Sequence, residues 1–473
     1  MRGSGAGRAG WLLALAGGLA LFWALAAPGE KPVLTDDEQA NAQAAIHLAR
    51  HGVFSHAPGV NAPAPDAFRE PGYAAFVATV WHLAGSEVPM RPAGLAAGDA
   101  RARDAVRPVQ RAQRLLLALA ALGAAAAVGW AGGRSGPTVA AVAAFALVAL
   151  SPALARSADL FASEALAAPL ATALACGLAA LVERPSNLRA LVAGLVAGAL
   201  ALVKAAFLPL AVALALCLPL LLGGHRGRHR VAFAGVFLAA ALLLPGLWIA
   251  RNAATLGHAT LADRGGVVLL TRAELGVDVE REGTGAALAV WTPWPLGATA
   301  ADGESRLERW SWRGEGGAAS PFVRAMARRD ALIRETGDPL AADARLRREA
   351  LAALGAAPGR WLRATVPVAW RSLFAERSPA WLRPFDAALP IGLLLALGAF
   401  LALIHALRGA DRPALALLLP VTAAYLFAVL ATEGLPRFQQ PSLPILWATV
   451  AATVDRLVAR AGRRTASKDK TSG

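Results

Sequence analysis

The residues best suited to chemistry lie in one polar stretch near the N-terminus, residues 35–73. Asp36, Asp37 and Glu38 stand together at its start, and Arg69 lies near its end. A carboxylate can act as a general base toward a hydroxyl group. Arginine holds phosphate through its planar guanidinium. This combination suits group transfer from a phosphate-bearing molecule to a hydroxyl.

The three acids compete for the role of base. Thr35 and Glu38 fit a capping box, which predicts a helix from Thr35 to about Arg50. Glu38 would then fold back onto the cap, and Asp36 and Asp37 would occupy the first turn. There the helix dipole favours the ionised carboxylate that a base requires. The alternative is that all three acids only cap a surface helix.

The remaining sequence predicts the membrane helices that must position these groups. The chain has 473 residues, of which 56% are hydrophobic, and its mean hydropathy is +0.48. This composition excludes an ordinary soluble protein. Cys176 and Cys217 lie in apolar runs and support neither a disulfide framework nor a cysteine metal site. We predict an all-α polytopic membrane protein with about ten transmembrane helices, at residues 11–27, 115–133, 138–155, 161–182, 188–203, 205–223, 231–250, 386–407, 413–431 and 441–458.

The predicted spans divide the chain into four parts. Surface helices are expected in the first outer loop, and helices at 321–335 and 340–354 within an outer insert of otherwise mixed structure. The basic tail has the composition of a disordered segment. The parts are an N-terminal membrane region (1–250) that contains the first outer loop (28–114), an extracytoplasmic insert (251–384), C-terminal membrane helices (385–459) and a cytoplasmic tail (460–473).

The distribution of arginine predicts the orientation in the membrane. With the N-terminus inside, the short inner loops carry Arg134, Arg184, Arg189, Arg408 and Arg412. Cytoplasmic loops are enriched in such cations, so both termini are predicted to be cytoplasmic. The net charge of +15 then reflects this bias and contact with anionic membrane lipid. A nucleic-acid partner is excluded, because the basic residues form no single soluble patch.

Several polar residues fall at the span ends that this orientation places outside. Ionisable groups at membrane depth are costly and tend to be functional. Their convergence predicts a site at the outer membrane boundary, where cations would hold a lipid phosphate. In the alternative interpretation, Arg251 snorkels and Asp159 caps the next helix. The converging residues are Asp37, Arg69, Asp159, Glu164, Lys204, Arg251, Asn252, Glu433 and Arg437.

Short motifs follow one another in a definite order relative to the spans. They are Asp37-Glu38, Arg69-Glu70-Pro71-Gly72-Tyr73, Ser163-Glu164, Lys204, Arg251-Asn252 and Glu433 followed by Pro436-Arg437-Phe438. Their order resembles that of the C-type (GT-C) membrane glycosyltransferases. Within that superfamily it is most similar to the bacterial relatives of protein O-mannosyltransferases (family 39) and of aminoarabinose transferases. Asn41, Ala74 and Phe438 depart from the family pattern.

The resemblance implies an enzyme of the bacterial inner membrane that uses a polyprenyl-phosphate sugar as donor. It would transfer a hexose or pentose, with inversion, to a hydroxyl of a glycolipid, protein or cell-wall acceptor outside the cytoplasm. No metal ligand is assigned, and a divalent metal requirement is left open. The acceptor and the sugar are also left open.

The resemblance also implies residue roles. Asp37 matches the acidic catalytic residue of the family and would be the general base, with Asp36 as second choice, and Asp159 resembles a second acidic residue. The remaining roles are donor-phosphate binding by Arg69, Lys204, Arg251 and Arg437, and support by Glu38, Tyr73, Glu164, Asn252 and Glu433.

Two other protein classes fit the same composition. A secondary transporter or a flippase for a lipid-linked or anionic substrate would show broken helices near the midplane and two related halves. A non-catalytic membrane assembly or polymer-ligase component is the other. Carboxylates and cations that meet at an outward face under surface helices would favour the transferase.

Overall fold

The structure is a computed structural model that describes residues 36–57, 63–95, 100–132, 139–223, 227–292, 320–374 and 388–469, together with Gly17. Within these ranges the secondary structure is helical and contains no strand, so the all-α prediction is confirmed. The predicted first span, 11–27, lies outside the described residues apart from Gly17. Thr35 and its predicted cap also lie outside them.

The segment predicted as the first outer loop (28–114), called the first outer segment below, contains the helices that the sequence predicts there. The first of them begins and ends within a residue of its predicted bounds. Its buried residues, among them Ala42, Ala45 and Ile46, pack against Tyr73, Val77 and Trp81 of the next helix. The helices are α1 (Asp36–His51), α2 (Gly72–Ala84) and the single turn α3 (Pro92–Leu95).

Seven helices follow in the N-terminal membrane region. They are α4 (Ala100–Gly132), α5 (Val139–Ala149), α6 (Pro152–Asp159), α7 (Glu164–Glu183), α8 (Asn187–Val203), α9 (Phe207–Leu221) and α10 (Gly227–Leu256). Helix α7 lies between two apolar clusters, because Ala168 and Ala175 pack on one side and Leu174 and Leu178 on the other. Small residues on its first side allow close approach of neighbouring helices.

The connection that we predicted at 91–114 is largely helical. Helix α4 begins at Ala100, well before the predicted start of the span at residue 115. Alanine and arginine have high helix propensity, so the polar segment continues the helix that follows it. Pro108 lies inside this helix. The outer loop is therefore shorter than predicted, and its last part is a rigid extension of α4.

From Gly265 on, the described part of the insert is mainly helical. Residues 293–319 and 375–384 lie outside the described residues, so the mixed structure predicted for the insert stays a prediction. The helices predicted at 321–335 and 340–354 are confirmed. Ala, Arg, Leu and Glu dominate these segments and favour helix. Val267, Leu332 and Leu346 belong to the insert's own apolar cluster. The helices are α11 (Gly265–Glu282), α12 (Thr284–Trp291), α13 (Pro321–Thr336), α14 (Pro339–Ala356) and α15 (Pro358–Ser372).

The C-terminal membrane region contains α16 (Ala388–Arg408), α17 (Arg412–Ala431), a 3₁₀ turn (Pro436–Ser442) and α18 (Leu443–Asp469). Helix α18 continues to Asp469, through most of the tail that we expected to be disordered.

The described helices form a polytopic membrane protein. Six are long and apolar enough to cross a membrane, and the α5–α6 pair, bent by 46°, makes up to seven. Helices α8 and α9 are shorter apolar helices of the same region. The count of about ten spans therefore stays a prediction. The bend lies at Pro152, which cannot donate the hydrogen bond that would continue α5.

Candidate active site

The carboxylate of Asp37 lies among three arginine side chains. Arg69 donates a hydrogen bond to Oδ1. Arg437 Nη2 lies 2.6 Å from Oδ2, and Arg264 Nη1 lies 3.7 Å from Oδ1. The arginines come from the first outer segment, the insert and the last loop, so the three segments meet at this carboxylate. We call Asp37, Arg69, Arg264 and Arg437 the arginine cage.

Arg69 is positioned by the Pro71-Gly72 turn that starts α2. A Cβ atom at Gly72 would lie 2.8 Å from the backbone carbon and oxygen of Leu202, closer than real Cβ atoms come. Glycine thus lets the first outer segment rest directly on the end of α8. Glu70 strengthens this contact, because its Oε1 accepts a hydrogen bond from the Ala205 N–H at 2.9 Å.

Arg264 is the N-cap residue of α11. A contact with the Phe68 ring holds its side chain near Asp37. The Phe68 ring is approached by the guanidiniums of Arg264 at 5.3 Å, Arg69 at 5.5 Å and Arg329 at 5.3 Å. Asp263 donates its N–H to the Ala67 carbonyl at 2.8 Å, and its carboxylate lies 2.9 Å from Arg329. These contacts hold the start of the insert on the first outer segment.

Arg437 is positioned by the turn between α17 and the 3₁₀ turn. Gly434 has φ +64, and a Cβ there would lie 2.5 Å from Val368 on α15. Both conditions favour glycine. The resulting turn places Glu433 and Arg437 on the same side, and Arg437 also lies within electrostatic range of Glu164 and Glu433.

The cage keeps Asp37 ionised. Burial alone would raise the pKa of this carboxyl, but Arg437, Arg69 and Arg264 act against it, and the result is a pKa well below its usual range. Burial also lowers the pKa of Arg264 to about 10, with Arg69 as the next cause. A carboxylate held in this way is a weak base. It becomes a stronger one when another anion draws the arginines away.

Lys204 and Glu164 form an ion pair beside the cage. Lys204 is the C-cap of α8, at the predicted break between the spans 188–203 and 205–223, and Glu164 is the first residue of α7. Lys204 Nζ lies 2.9 Å from Glu164 Oε1, and both side chains are largely buried. The charge of Lys204 is therefore compensated within the protein.

Arg251 and Asn252 lie at the end of α10. Arg251 Nη1 donates to Asn252 Oδ1 at 2.8 Å, and its guanidinium lies 4.8 Å from the Trp248 ring. It also approaches the Asp66 carbonyl at 3.5 Å. Asn252 donates to the Thr260 carbonyl at 2.8 Å and so fixes the chain that leads to Arg264. Among the described contacts, none joins Arg251 to the cage.

Asp159 and Tyr73 belong to a buried polar network between α2, α4 and α6. Arg114 Nε donates to Asp159 Oδ1 at 2.9 Å. Tyr73 donates to Gln113 Oε1 at 2.6 Å, and Gln113 donates to the Ala158 carbonyl at 2.8 Å. Glu38 lies within electrostatic range of Tyr73. These contacts tie the outer segment to the membrane helices.

The structure thus brings together Asp37, Arg69 and Arg437 from the predicted set, with Glu164, Lys204 and Glu433 nearby. Asp36 is the first residue of α1, and its side chain lies outside the described residues. Arg264 was missed, because it lies in the insert and matches no motif. Within the described ranges, no group of three or more His, Cys, Asp or Glu side chains is arranged to hold a metal ion.

Among solved structures, the chain is similar to the oligosaccharyltransferase of Archaeoglobus fulgidus. The apo form has a TM-score of 0.49 and 13% identity over 96% of this chain. A complex of this archaeal enzyme, AglB, with an inhibitory peptide and a dolichol-phosphate has a TM-score of 0.49 and 14% identity. The chain spans about half the length of these structures, 52% in both cases. No family model and no curated protein matches the sequence. TM-scores this low do not establish a common fold. The function is therefore inferred from the residues of the site.

Proposed function

We propose that this protein is a membrane glycosyltransferase. It moves a sugar from a polyprenyl-phosphate donor to a hydroxyl acceptor on the extracytoplasmic side. The observation that carries the proposal is the arginine cage. Three guanidiniums from separate segments surround one carboxylate, and Arg69 and Arg437 stand beside apolar helices. This arrangement suits a lipid-borne phosphate beside a general base.

In the proposed reaction the donor phosphate enters the cage and takes over hydrogen bonds from Arg69, Arg264 and Arg437. Asp37 is thereby released from its arginines, and its pKa rises toward its ordinary value. The acceptor oxygen then attacks the anomeric carbon and gives its proton to Asp37. The bond from that carbon to the phosphate oxygen breaks, and the oxygen keeps the electron pair. The guanidiniums stabilise the charge that develops on the leaving polyprenyl phosphate. Attack opposite the phosphate inverts the anomeric centre.

Lys204 and Arg251 have different parts in this proposal from those of the cage. Lys204 already pairs with Glu164, so we expect it to contribute less to donor binding than an unpaired lysine would. Arg251 lies against the Trp248 ring, so we expect it to contact the donor only from beside the cage. Asp159 is a positioning residue, because Arg114 binds it within the buried network.

The decisive experiment replaces Asp37 in cells and compares the variant with a deletion strain. Asn keeps the helix start almost as stable as Asp does, but it has no basicity. We expect Asp37→Asn to lose the same extracytoplasmic glycan or glycolipid as the deletion, by mass spectrometry, and to accumulate the unused lipid-linked sugar. In reconstituted protein, transfer should fall by about two to four orders of magnitude.

Asp104→Asn is a matched control, because Asp104 is an exposed carboxylate of the same outer segment. It should leave the glycan profile unchanged. Near-normal transfer by folded Asp37→Asn protein would remove Asp37 from the mechanism.

A flippase for a lipid-linked substrate is the second candidate. The bent pair α5–α6 favours it, since broken spans occur at transport sites. In that case the purified protein in liposomes would move a fluorescent polyprenyl-phosphate sugar across the bilayer. It would release no polyprenyl phosphate when acceptors are supplied.

A further inference from the structure

One helix of the insert, α15, lies against a membrane helix. Trp361 donates its indole N–H to the Leu430 carbonyl oxygen of α17 at 2.8 Å. Further along α15, the Ala369 carbonyl oxygen accepts a hydrogen bond from the Tyr425 hydroxyl of α17 at 2.9 Å. These two contacts place α15 beside the last third of α17.

The chain that leaves α15 contacts a second membrane helix, α16. A Cβ atom at Gly392 of α16 would lie 2.8 Å from the Leu373 carbonyl oxygen and 2.9 Å from the Phe374 ring. Leu373 and Phe374 directly follow α15, and Gly392 lies near the start of the apolar span Pro390–Arg408. Helix α15 therefore connects the ends of two apolar spans.

The length of α17 indicates the depth of α15 in the membrane. Its 20 residues form a helix about 30 Å long, and the hydrocarbon core of a bilayer is also about 30 Å thick. The end of α17 at Ala431 therefore lies at the edge of the core. Tyr425, six residues earlier, lies about 9 Å inside this edge. Because its hydroxyl reaches Ala369, α15 lies at the boundary between hydrocarbon and headgroups.

The side of α15 that points away from the protein is apolar. Leu362 and Val366 are 58% and 55% exposed. They lie four residues apart and hence on one side of the helix. On the opposite side, Ala364 and Val368 are fully buried in an apolar cluster. We call Leu362 and Val366 the apolar face of α15.

The neighbouring ends of the membrane helices also expose apolar side chains. These are Leu426 and Leu430 of α17 and Leu393 and Leu394 of α16. Helices α16 and α17 are long and apolar enough to cross a membrane, so lipid covers such side chains. The apolar face of α15 lies at the same ends and can be covered by the same lipid.

Two arginines border the apolar face. Arg360 and Arg363 are exposed, and both pair with the single carboxylate of Glu280, Arg363 at a distance of 2.6 Å. One positive charge therefore remains in excess in this group. Helices that lie in the membrane interface combine an apolar face with such cations, which attract lipid phosphates. Tryptophan, here Trp361, is also enriched at this depth.

We propose that α15 is an interfacial helix and that lipid of the leaflet on the insert's side covers its apolar face. The proposal goes beyond the transfer reaction and does not depend on it. It has a consequence for the arginine cage, because Ser372 of α15 donates to the Gly434 carbonyl oxygen at 3.2 Å. Gly434 belongs to the turn that carries Arg437. Helix α15 thus holds this arginine at the depth of the lipid phosphates.

The test measures the depth of α15 by spin-label EPR on the full chain in nanodiscs. Cys176 and Cys217 are free, so both are first replaced by alanine. Leu362→Cys and Val366→Cys are then made singly and labelled with a nitroxide. Collision rates are measured with oxygen, which concentrates in lipid, and with a nickel chelate, which stays in water. We expect both labels to favour oxygen, at about 5–10 Å below the lipid phosphates.

Leu426→Cys and Arg348→Cys are the matched controls, at exposed positions of the span α17 and of the insert helix α14. The label at Leu426 should favour oxygen, and the label at Arg348 should favour the nickel chelate. Labels on α15 that favour the nickel chelate as Arg348 does would overturn the proposal. Labels on α15 that neither reagent reaches would mean that protein, such as a second copy of the chain, covers this face, and would also overturn it.

Discussion

Arg264 offers a sharp test of the arginine cage, because it matches no motif and was found only through its contacts. We expect Arg264→Gln to weaken binding of polyprenyl phosphate about 10- to 150-fold. Glutamine keeps a similar length and polarity but removes the positive charge. It also removes the guanidinium that lies 5.3 Å from the Phe68 ring.

The magnitude follows from the geometry of Arg264. Its Nη1 lies 3.7 Å from Asp37 Oδ1, and its side chain is 24% exposed. At such a distance the Coulomb attraction is about 4 kcal/mol at an effective dielectric constant of 20, before desolvation is subtracted. Hydrogen bonds to charged groups contribute about 1.5–3 kcal/mol net, and this range corresponds to the fold change above.

The assay uses polyprenyl phosphate, the product common to every sugar that the enzyme could transfer. Its binding to the full chain in nanodiscs is measured by titration for the wild type, Arg264→Gln, Arg264→Lys and Asp37→Asn. Lys keeps the charge but loses the planar fork, so its loss should be smaller. Asp37→Asn should bind more tightly than the wild type, because it removes the anion that competes with phosphate for the cage.

Arg281→Gln is the control for Arg264→Gln, since Arg281 is an exposed arginine at the far end of the same helix. Equal affinities in Arg264→Gln and Arg281→Gln would refute the idea that the cage binds phosphate. An Asp37→Asn variant that binds polyprenyl phosphate more weakly than the wild type would refute the exchange of arginines between Asp37 and the donor.

Three further predictions concern the surroundings of the cage. Lys204→Met should lower the free energy of unfolding by about 3–5 kcal/mol, because Glu164 is left buried and unpaired; Lys204→Met combined with Glu164→Gln should recover most of that loss in thermal unfolding. Burial raises the pKa of Asp263 to about 6 from an ordinary 3.8. Between these two pH values the folded state therefore holds a proton on Asp263 that the unfolded state lacks. Its contribution to stability is therefore largest at low pH and falls as pH rises from about 4 to about 6; Asp263→Asn should flatten this slope, and an unchanged slope would contradict the assignment. Single cysteines at Glu87 and Arg348, both exposed, should both react with an impermeant reagent in intact cells, and labelling of only one would mean that the two outer segments lie on opposite sides.

The sequence predicted well those features that depend on local patterns. Apolar runs give the positions of α7, α8, α9 and α17, because span length and hydrophobicity are read along the chain. Helix α1 follows from its acidic start, and the confirmed insert helices from their composition. The late start predicted for α4 was wrong, because a polar extension of a membrane helix has no signal in hydropathy.

Features that depend on tertiary contacts could not be predicted in the same way. Lys204 and Glu164 were both expected at the site, but their mutual pairing requires the ends of α7 and α8 to meet. Arg264 joins the site only because Phe68 and the Ala67 carbonyl hold the start of the insert. Asp159 was predicted as a second acid, and its pairing with Arg114, forty-five residues earlier in the chain, requires α4 and α6 to lie side by side.

The cage also implies an order for the proposed reaction. Asp37 cannot be held by three arginines and accept a proton at the same time, because each arginine lowers its pKa. Only an anion that competes for those arginines can restore its basicity, and an acceptor hydroxyl carries no such charge. The donor must therefore bind before Asp37 can activate an acceptor hydroxyl. In initial-rate kinetics, polyprenyl phosphate should compete with the donor but not with the acceptor. Competition between polyprenyl phosphate and the acceptor would contradict this account of Asp37.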